Sequence, residues 1–302
     1  MLAVGPTGLA SADPKGLTEA VLQCLDDFLD IISAPGTDLT RPSRLKGWSG
    51  ADTCIHMGQW ADRDTMTAVV ASARAGGVGE DRDAASVDAA NERLVAAHRA
   101  EGVDAIVNAC VRGRDSIEEF LESPLLDELG QQLTHSSLGP MPVLTLLHAG
   151  VYELAVHALD LAPCGAPPPS DLLLDRGLAA LLDVTGALSV RQGVHATVTA
   201  QTPGGGWAFT ASANGWTTQR AGTTRFEGAG VRGSAVDLLD ASAGRVNLGQ
   251  LLLSRRLVVQ DLPAFMRLAP LLDDVPGLPG GRALKSAVGG LGRVTRLLRI
   301  GR

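Results

Sequence analysis

The stretch VLTLLHAGVYELAVHALDL, residues 143–161, carries the strongest structural signal in the chain. Most of its side chains are apolar, and Pro142 and Pro163 flank it at positions where prolines begin or end helices. Within it, Glu153 and His157 lie one helical turn apart and share one face, so the carboxylate and the imidazole point the same way. Because the surrounding positions are apolar, the sequence predicts a helix that holds this pair inside a helical bundle.

A buried carboxylate is costly unless it has a partner, and a divalent metal is one such partner. Helical bundles commonly hold metal ions between side chains of facing helices. His56, near the middle of a second predicted helix, supplies a third candidate ligand. Three ligands of the His and Glu type leave one coordination position open, which is typical of catalytic zinc sites. The same spacing also fits core histidines with ordinary hydrogen bonds, and the pattern alone does not separate these interpretations.

Apolar residues at helical spacing predict further helices in the first half of the chain, at residues 17–33, about 50–74, about 86–100 and 103–121. Ser49, followed three residues later by Asp52, indicates where the second of these helices begins. Gly113 is a candidate interruption of the last one. Together with residues 143–161, these segments predict an up-and-down bundle of four or five helices with short connections.

The stretch CGAPPPSD, residues 164–171, is the clearest boundary in the chain, because three consecutive prolines make a stiff linker. After it, a predicted helix at 172–191 is followed by strand-like alternation, and Asn214-Gly215 is a typical turn between strands. Predicted strands cover residues 194–200, 207–212, 216–219 and 257–259, and predicted helices cover 233–243, 248–254 and 262–272. Strands combined with helices in this way indicate a small α+β domain.

The predicted fold class is therefore α+β with two domains. We divide the chain into a loose leader at 1–14, a metal-binding helical bundle at 15–165, an α+β domain at 166–275 and a basic tail at 276–302. The tail carries its basic residues between leucines and valines, so it fits either a helix on a membrane surface or partner, or a solvated terminus.

Composition argues against several classes of function. A formal net charge of -7 is unlike a nucleic-acid-binding protein, which normally shows a basic face. The four cysteines form no CxxC motif and are far apart, which predicts neither disulfides nor a cysteine zinc site and suits a reducing cytoplasm. No apolar run reaches the length of a membrane span. The sequence has no Walker motif or GxSxG elbow, and the glycines at 204–206 open no predicted helix, which argues against a dinucleotide site.

Two segments resemble the signatures of the DinB-like, mycothiol-dependent maleylpyruvate isomerase family. These are GWSGADTCIHMGQWADR at 47–63 and YELAVHALDL at 152–161. The resemblance implies that His56, Glu153 and His157 are the metal ligands, and that Asp160 is the Asp of the family's His-x-x-Asp ending. For Asp160, an exposed residue at the end of a helix is the competing interpretation.

A third segment, GSAVDLLDASAGR at 233–245, resembles the family's C-terminal segment. The resemblance implies that Arg245 reaches from the second domain to the active site, where a guanidinium would suit a substrate carboxylate bidentately. An ordinary surface arginine is the alternative. The family often carries arginines just before the Glu of its second signature, whereas HAGVY at 148–152 has none. His148 could therefore replace one of those arginines, or it could be a histidine of the core or the rim, and the sequence does not separate the two.

The resemblance covers most of the chain and implies a DinB-like four-helix bundle followed by a sterol-carrier-protein-like α+β domain. It implies a soluble, zinc-dependent enzyme with mycothiol as co-substrate, either an isomerase or an S-transferase, in which a metal-bound thiolate attacks an electrophilic small molecule. Nickel or iron would also accept such ligands. A metal-hydroxide hydrolase is one alternative, distinguished by activity without added thiol, and a non-catalytic small-molecule or lipid-binding protein is another. The oligomeric state does not follow from the sequence.

Overall fold

The computed structural model describes residues 5–62, 64–79, 84–265, 267, 268 and 271. The first half of the chain is mainly helical, with α1 (Leu9–Ala12), α2 (Pro14–Ser33), α3 (Gly50–Met57), α4 (Thr65–Arg74), α5 (Ala84–His98), α6 (Val103–Glu122), α7 (Leu125–Leu129) and α8 (Val143–Asp160). Two short strands, β1 (Leu133–Thr134) and β2 (Met141–Pro142), pair antiparallel before α8. The predicted basic tail at 276–302 lies outside the described residues.

Four of these helices contact one another around a shared core. Helix α2 packs against α8 and α6, and α3 packs against α6 and α8. Fully buried side chains such as Phe28, Ile55, Ile106 and Val151 come from each of the four helices in turn. Helix α8 is buried along most of its length, as its apolar sequence predicts. This helix is therefore the central element on which the rest of the first half packs.

The second half consists of helix α9 (Asp171–Arg191), a five-stranded sheet and three short helices. The strands are β3 (Ala196–Thr202), β4 (Gly205–Ser212), β5 (Gly215–Ala221), β6 (Ala229–Arg232) and β7 (Val258–Gln260), in the order β5-β4-β3-β6-β7. Only the β3–β6 pair is parallel among the described strand pairs. Helix α9 packs on α8 and also on β4 and β5, so it lies between the bundle and the sheet. The short helices are α10 (Ala235–Ser242), α11 (Leu248–Leu253) and α12 (Leu262–Phe265).

The predicted helix at 50–74 is wrong, because the chain forms two helices there instead of one. A Cβ atom at Gly58 would lie only 2.9 Å from the Cβ of Ala109, so α6 approaches the backbone closely at this point. The indole Nε1 of buried Trp60 then donates to the carbonyl of Ile55 at 3.0 Å and satisfies the end of α3. The candidate interruption at Gly113 is also wrong, since α6 runs through it unbroken.

Part of the segment that the sequence assigned to a loose leader lies against the sheet. The backbone N–H of Trp216 donates to the carbonyl of Pro6, and the N–H of Gly8 donates to the carbonyl of Trp216, both at 2.9 Å. The Asp13 side chain then accepts from Gly16 N at 3.0 Å and caps α2. Among the described residues, no helix is both long and apolar enough to span a bilayer.

A buried carboxylate joins these parts of the molecule. Asp183 of α9 is completely buried. One of its oxygens accepts hydrogen bonds from Leu9 N at 3.2 Å, Trp216 Nε1 at 2.9 Å and Thr218 Oγ1 at 2.6 Å. The other oxygen lies 3.1 Å from Nδ1 of His148 on α8. His148 is therefore a core histidine that holds α8 to α9, which answers the question left open by the sequence.

Replacing this carboxylate should destabilise the whole chain. We expect Asp183→Ala to lower the free energy of unfolding by about 3–5 kcal/mol, because it leaves several buried donors without an acceptor. Urea denaturation followed by circular dichroism measures the change. Glu19→Ala is the matched control, because Glu19 is exposed and forms a surface ion pair with Lys15 at 3.8 Å, so its loss should barely move the midpoint. Equal midpoints for both variants would contradict this account of Asp183.

Candidate metal site

The position of His56 follows from where α3 begins and ends. Ser49 Oγ accepts from Asp52 N at 3.1 Å, and an Asp52 carboxylate oxygen accepts from Ser49 N at 2.8 Å, which forms a capping box. The start predicted at Ser49 is therefore confirmed. Because the helix ends at Met57, His56 lies in its last turn and not near the middle of a long helix. The end of α3 thus presents the imidazole to the side of α8.

Three candidate ligands converge at this point. Glu153 Oε2 lies 3.4 Å from His157 Nε2 and 3.8 Å from His56 Nε2. The three ligand atoms all lie within 4.8 Å of one another. The two imidazole rings are nearly perpendicular, with an interplanar angle of 79° and centroids 5.2 Å apart. The residues that the sequence singled out are therefore brought together from two different helices.

The expectation that Glu153 is enclosed by the bundle is wrong. Its side chain is 48 % exposed, whereas the side chain of His157 is only 6 % exposed. One turn before Glu153, a Cβ atom added at Gly150 would meet no atom of another element within 4 Å, so open space lies beside this part of α8. The cluster is therefore accessible to small molecules from solvent, with one buried histidine at its base.

Asp160 stands directly behind His157. Its Oδ2 lies 3.1 Å from His157 Nδ1, and its carboxylate is completely buried. A carboxylate in this position fixes the ring orientation and directs Nε2 toward the ligand cluster. Asp160 is therefore not an exposed residue at a helix end, which was the competing interpretation from the sequence.

Arg245 approaches Asp160 from the loop after α10. Its Nε lies 2.9 Å from Oδ1, its Nη2 lies 2.9 Å from Oδ2, and its Nη1 donates to the carbonyl of Ala243 at 3.1 Å. The guanidinium is thus engaged by Asp160 in the two-pronged way that the sequence suggested for a substrate carboxylate. In this structure, Arg245 reaches the site through Asp160 and holds that residue in place.

Sequence reasoning missed Arg44. Its Nη2 donates to Asp240 Oδ1 at 2.7 Å, and its Nε lies 3.8 Å from Asp160 Oδ1. The backbone N–H of Arg44 also donates to the carbonyl of Asp160 at 2.9 Å. Arg44 lies just before the first signature segment, but its partners are more than a hundred residues away in sequence, and no local pattern connects them.

The electrostatics of the cluster favour charged side chains. Desolvation opposes ionisation of Glu153, but hydrogen bonds with His157 and His56 outweigh it and hold the pKa of Glu153 well below its usual range. Burial by itself would lower the pKa of His157, but Asp160 and Glu153 raise it to about 9. The cluster therefore presents a carboxylate and an imidazole that a metal would take up by displacing a proton.

The role of Asp160 can be tested through metal affinity. We expect Asp160→Asn to weaken zinc binding about 10–100-fold, because the variant loses the charge that orients His157 and raises its basicity. Competition with a chromophoric chelator measures the affinity. Asp240→Asn is the control, because it alters the contact with Arg44 but leaves the Asp160–His157 hydrogen bond intact. Unchanged zinc affinity in a folded Asp160→Asn protein would show that Asp160 does not act through His157.

Part of this chain is similar to a known protein family. Residues 20–162 match the mycothiol maleylpyruvate isomerase N-terminal domain, a segment that contains all three candidate ligands. No curated protein matches the chain. A solved structure of the mycothiol-dependent maleylpyruvate isomerase is 16% identical to this chain, with a TM-score of 0.49. The match covers 80% of this chain and 93% of the isomerase chain. A histidine-to-alanine mutant of the isomerase gives the same identity and coverage with a TM-score of 0.48. The family match therefore covers the helical first half of the chain, residues 20–162.

Proposed function

We propose that this chain is a metal-dependent and mycothiol-dependent enzyme, an isomerase or an S-transferase that acts on an electrophilic small molecule. The observation that carries the proposal is the convergence of His56, Glu153 and His157, whose ligand atoms lie within 4.8 Å of one another. The family match over residues 20–162 supports the choice of mycothiol as the thiol.

The donor set fits zinc. Two ligands of a tetrahedral zinc ion, each about 2.05 Å from the metal, are separated by roughly 3.3 Å. The Glu153–His157 separation of 3.4 Å is close to that value. The Glu153–His56 separation is 3.8 Å and all three ligand atoms lie within 4.8 Å, so binding would draw His56 inward. Three such ligands leave a position for an exogenous group, as in catalytic zinc sites. Nickel and iron accept the same ligand types, so zinc is our first choice among divalent metals.

The residues of the chain have distinct tasks in this proposal. A metal held by the three ligands would lower the pKa of a coordinated thiol and present it as thiolate. Asp160 accepts from Nδ1–H of His157, so that Nε2 is directed at the site. Arg245 holds Asp160 through two hydrogen-bonding nitrogens, so a residue of the second half of the chain orients a ligand of the first half. The exposed side of Glu153 leaves room for the thiol and the second reactant.

The chemistry then depends on what leaves. In each case a sulfur–carbon bond forms and another bond breaks. The bond that breaks is the π bond of an activated alkene, the carbon–oxygen bond of an epoxide, or the bond between a sugar carbon and its leaving group. The proton lost by the thiol balances the charge that develops on the product. In an isomerase, the former carbon–carbon double bond, now single, rotates, and the thiol is then expelled. In an S-transferase, the thiol conjugate is released, and metal and ligands serve both outcomes equally.

We also propose that this chain has the two-domain organisation that the family resemblance implies. The mutual packing of α2, α3, α6 and α8 supports a DinB-like four-helix bundle for residues 15–165. The five-stranded sheet with its helices supports a sterol-carrier-protein-like domain for residues 166–275, whose task here is to place Arg245. The four cysteines are buried and free, which supports a cytoplasmic location.

Metal content is the first test. We expect about one equivalent of zinc in wild type by mass spectrometry, after purification without a metal-chelating tag, and loss of that zinc in His157→Ala. His98→Ala is the control, because His98 stacks on Trp60 with ring centroids 3.8 Å apart and takes no part in the cluster. A folded wild type that takes up no metal when zinc is supplied would remove the central claim.

Thiol dependence is the second test. We expect turnover of an activated alkene or epoxide by the zinc-loaded protein only when mycothiol is added, with loss in His157→Ala. Mass spectrometry of the product then separates an isomer, which has the mass of the substrate, from a thiol conjugate. Turnover without thiol would instead indicate a hydrolase that uses a bound hydroxide.

A further inference from the structure

A partly open cavity of about 140 Å³ lies between α2, α3, α4, α6 and α8. A cavity of this size lined by apolar side chains can hold a molecule as large as benzene. Its wall is mostly apolar and includes three glycines; the lining residues used below are Met57, Gly113, Leu147, Gly150, Val151 and Leu154. The cavity is therefore suited to a compact apolar group.

The cavity lies beside the candidate metal site. Met57 directly follows His56, and Leu154 directly follows Glu153, so the wall contains the immediate neighbours of two ligands. Gly150 is one helical turn before Glu153 and lies on the same face of α8. A group bound against Gly150 would therefore lie within one turn of the metal ligands.

The charge of the wall is already compensated. Among the described lining residues, Arg114 is the charged one, and its guanidinium contacts Asp26 at 2.8 Å as well as Glu118. Near the candidate metal site, Arg245 is engaged by Asp160, and Arg44 is engaged by Asp240. A substrate carboxylate in the cavity would have to break one of these ion pairs, whereas an apolar group would not.

We propose that this cavity binds the apolar part of the electrophilic substrate, so that the second reactant carries a compact hydrocarbon or aromatic group next to its reactive carbon. The assignment rests on the proposed function, because it takes the thiol to be held by the metal ligands. Gly150 determines the available space, since a side chain at this position would project into the unoccupied volume beside Glu153.

The cavity can be probed with benzyl alcohol, an unreactive molecule with one phenyl group, in ligand-observed NMR titrations of the zinc-loaded full chain. We expect wild type to bind it and Gly150→Leu to bind it at least tenfold more weakly. Gly150→Ala is the matched control, because it adds one methyl group and leaves most of the cavity open. Gly113→Leu narrows the cavity from the opposite helix, where the nearest atom to an added Cβ is 3.7 Å away, and should have the same effect.

Leucine and alanine are better helix formers than glycine, so these variants should remain folded, and their melting temperatures check this. We also expect benzyl alcohol to bind equally well when mycothiol is saturating, because thiol and electrophile occupy different places.

The assignment is overturned if wild type does not bind benzyl alcohol, if folded Gly150→Leu and Gly113→Leu bind it as wild type does, or if mycothiol displaces it. Zinc content and mycothiol binding are measured on the same samples. Their absence refutes the proposed function and the substrate assignment with it, whereas their presence without benzyl alcohol binding refutes the assignment alone.

Discussion

Asp160 carries a carboxylate with no exposure to solvent, and burial of an isolated charge is among the largest costs in a protein interior. The structure compensates it from two directions, through the guanidinium of Arg245 and the imidazole of His157. One of these partners belongs to the second half of the chain and the other to α8. Full compensation of the buried charge therefore requires both halves of the chain, and the same contacts fix the orientation of a candidate ligand. The contacts of Asp160 therefore link the packing of the two halves to the direction of His157.

Helix α8 contains two histidines that each meet a buried aspartate through Nδ1 at 3.1 Å, yet their roles differ. Asp183, the partner of His148, is surrounded by donors from α1 and β5, so this pair serves to join elements. The ring of His157 has Glu153 on its other side, at the rim of the bundle. The surroundings of the second ring nitrogen, and not the His–Asp contact itself, separate a structural histidine from a candidate ligand.

The sequence pattern predicted those structural features that depend on interactions between residues close together in the chain. The apolar run of α8 with its flanking prolines, and the Ser49–Asp52 cap of α3, could be predicted because each depends on residues within a few positions. The end of α3 at Met57 could not be predicted, because it depends on the close approach of Ala109 to Gly58. Exposure of Glu153 and the contacts of Arg44 also arise from tertiary packing. The ligand set came from two signature segments, and only the folded chain shows that Arg245 is occupied by Asp160.

The contact of residues 6–8 with Trp216 has a consequence for the sheet. Strand β5 is one of the two outer strands of the described sheet. An outer strand presents unpaired N–H and C=O groups that can recruit a strand from another molecule. The backbone hydrogen bonds of Pro6 and Gly8 occupy that position beside Trp216. A segment from the start of the chain therefore shields an edge formed two hundred residues later. A second half produced alone would expose this edge and would tend to self-associate.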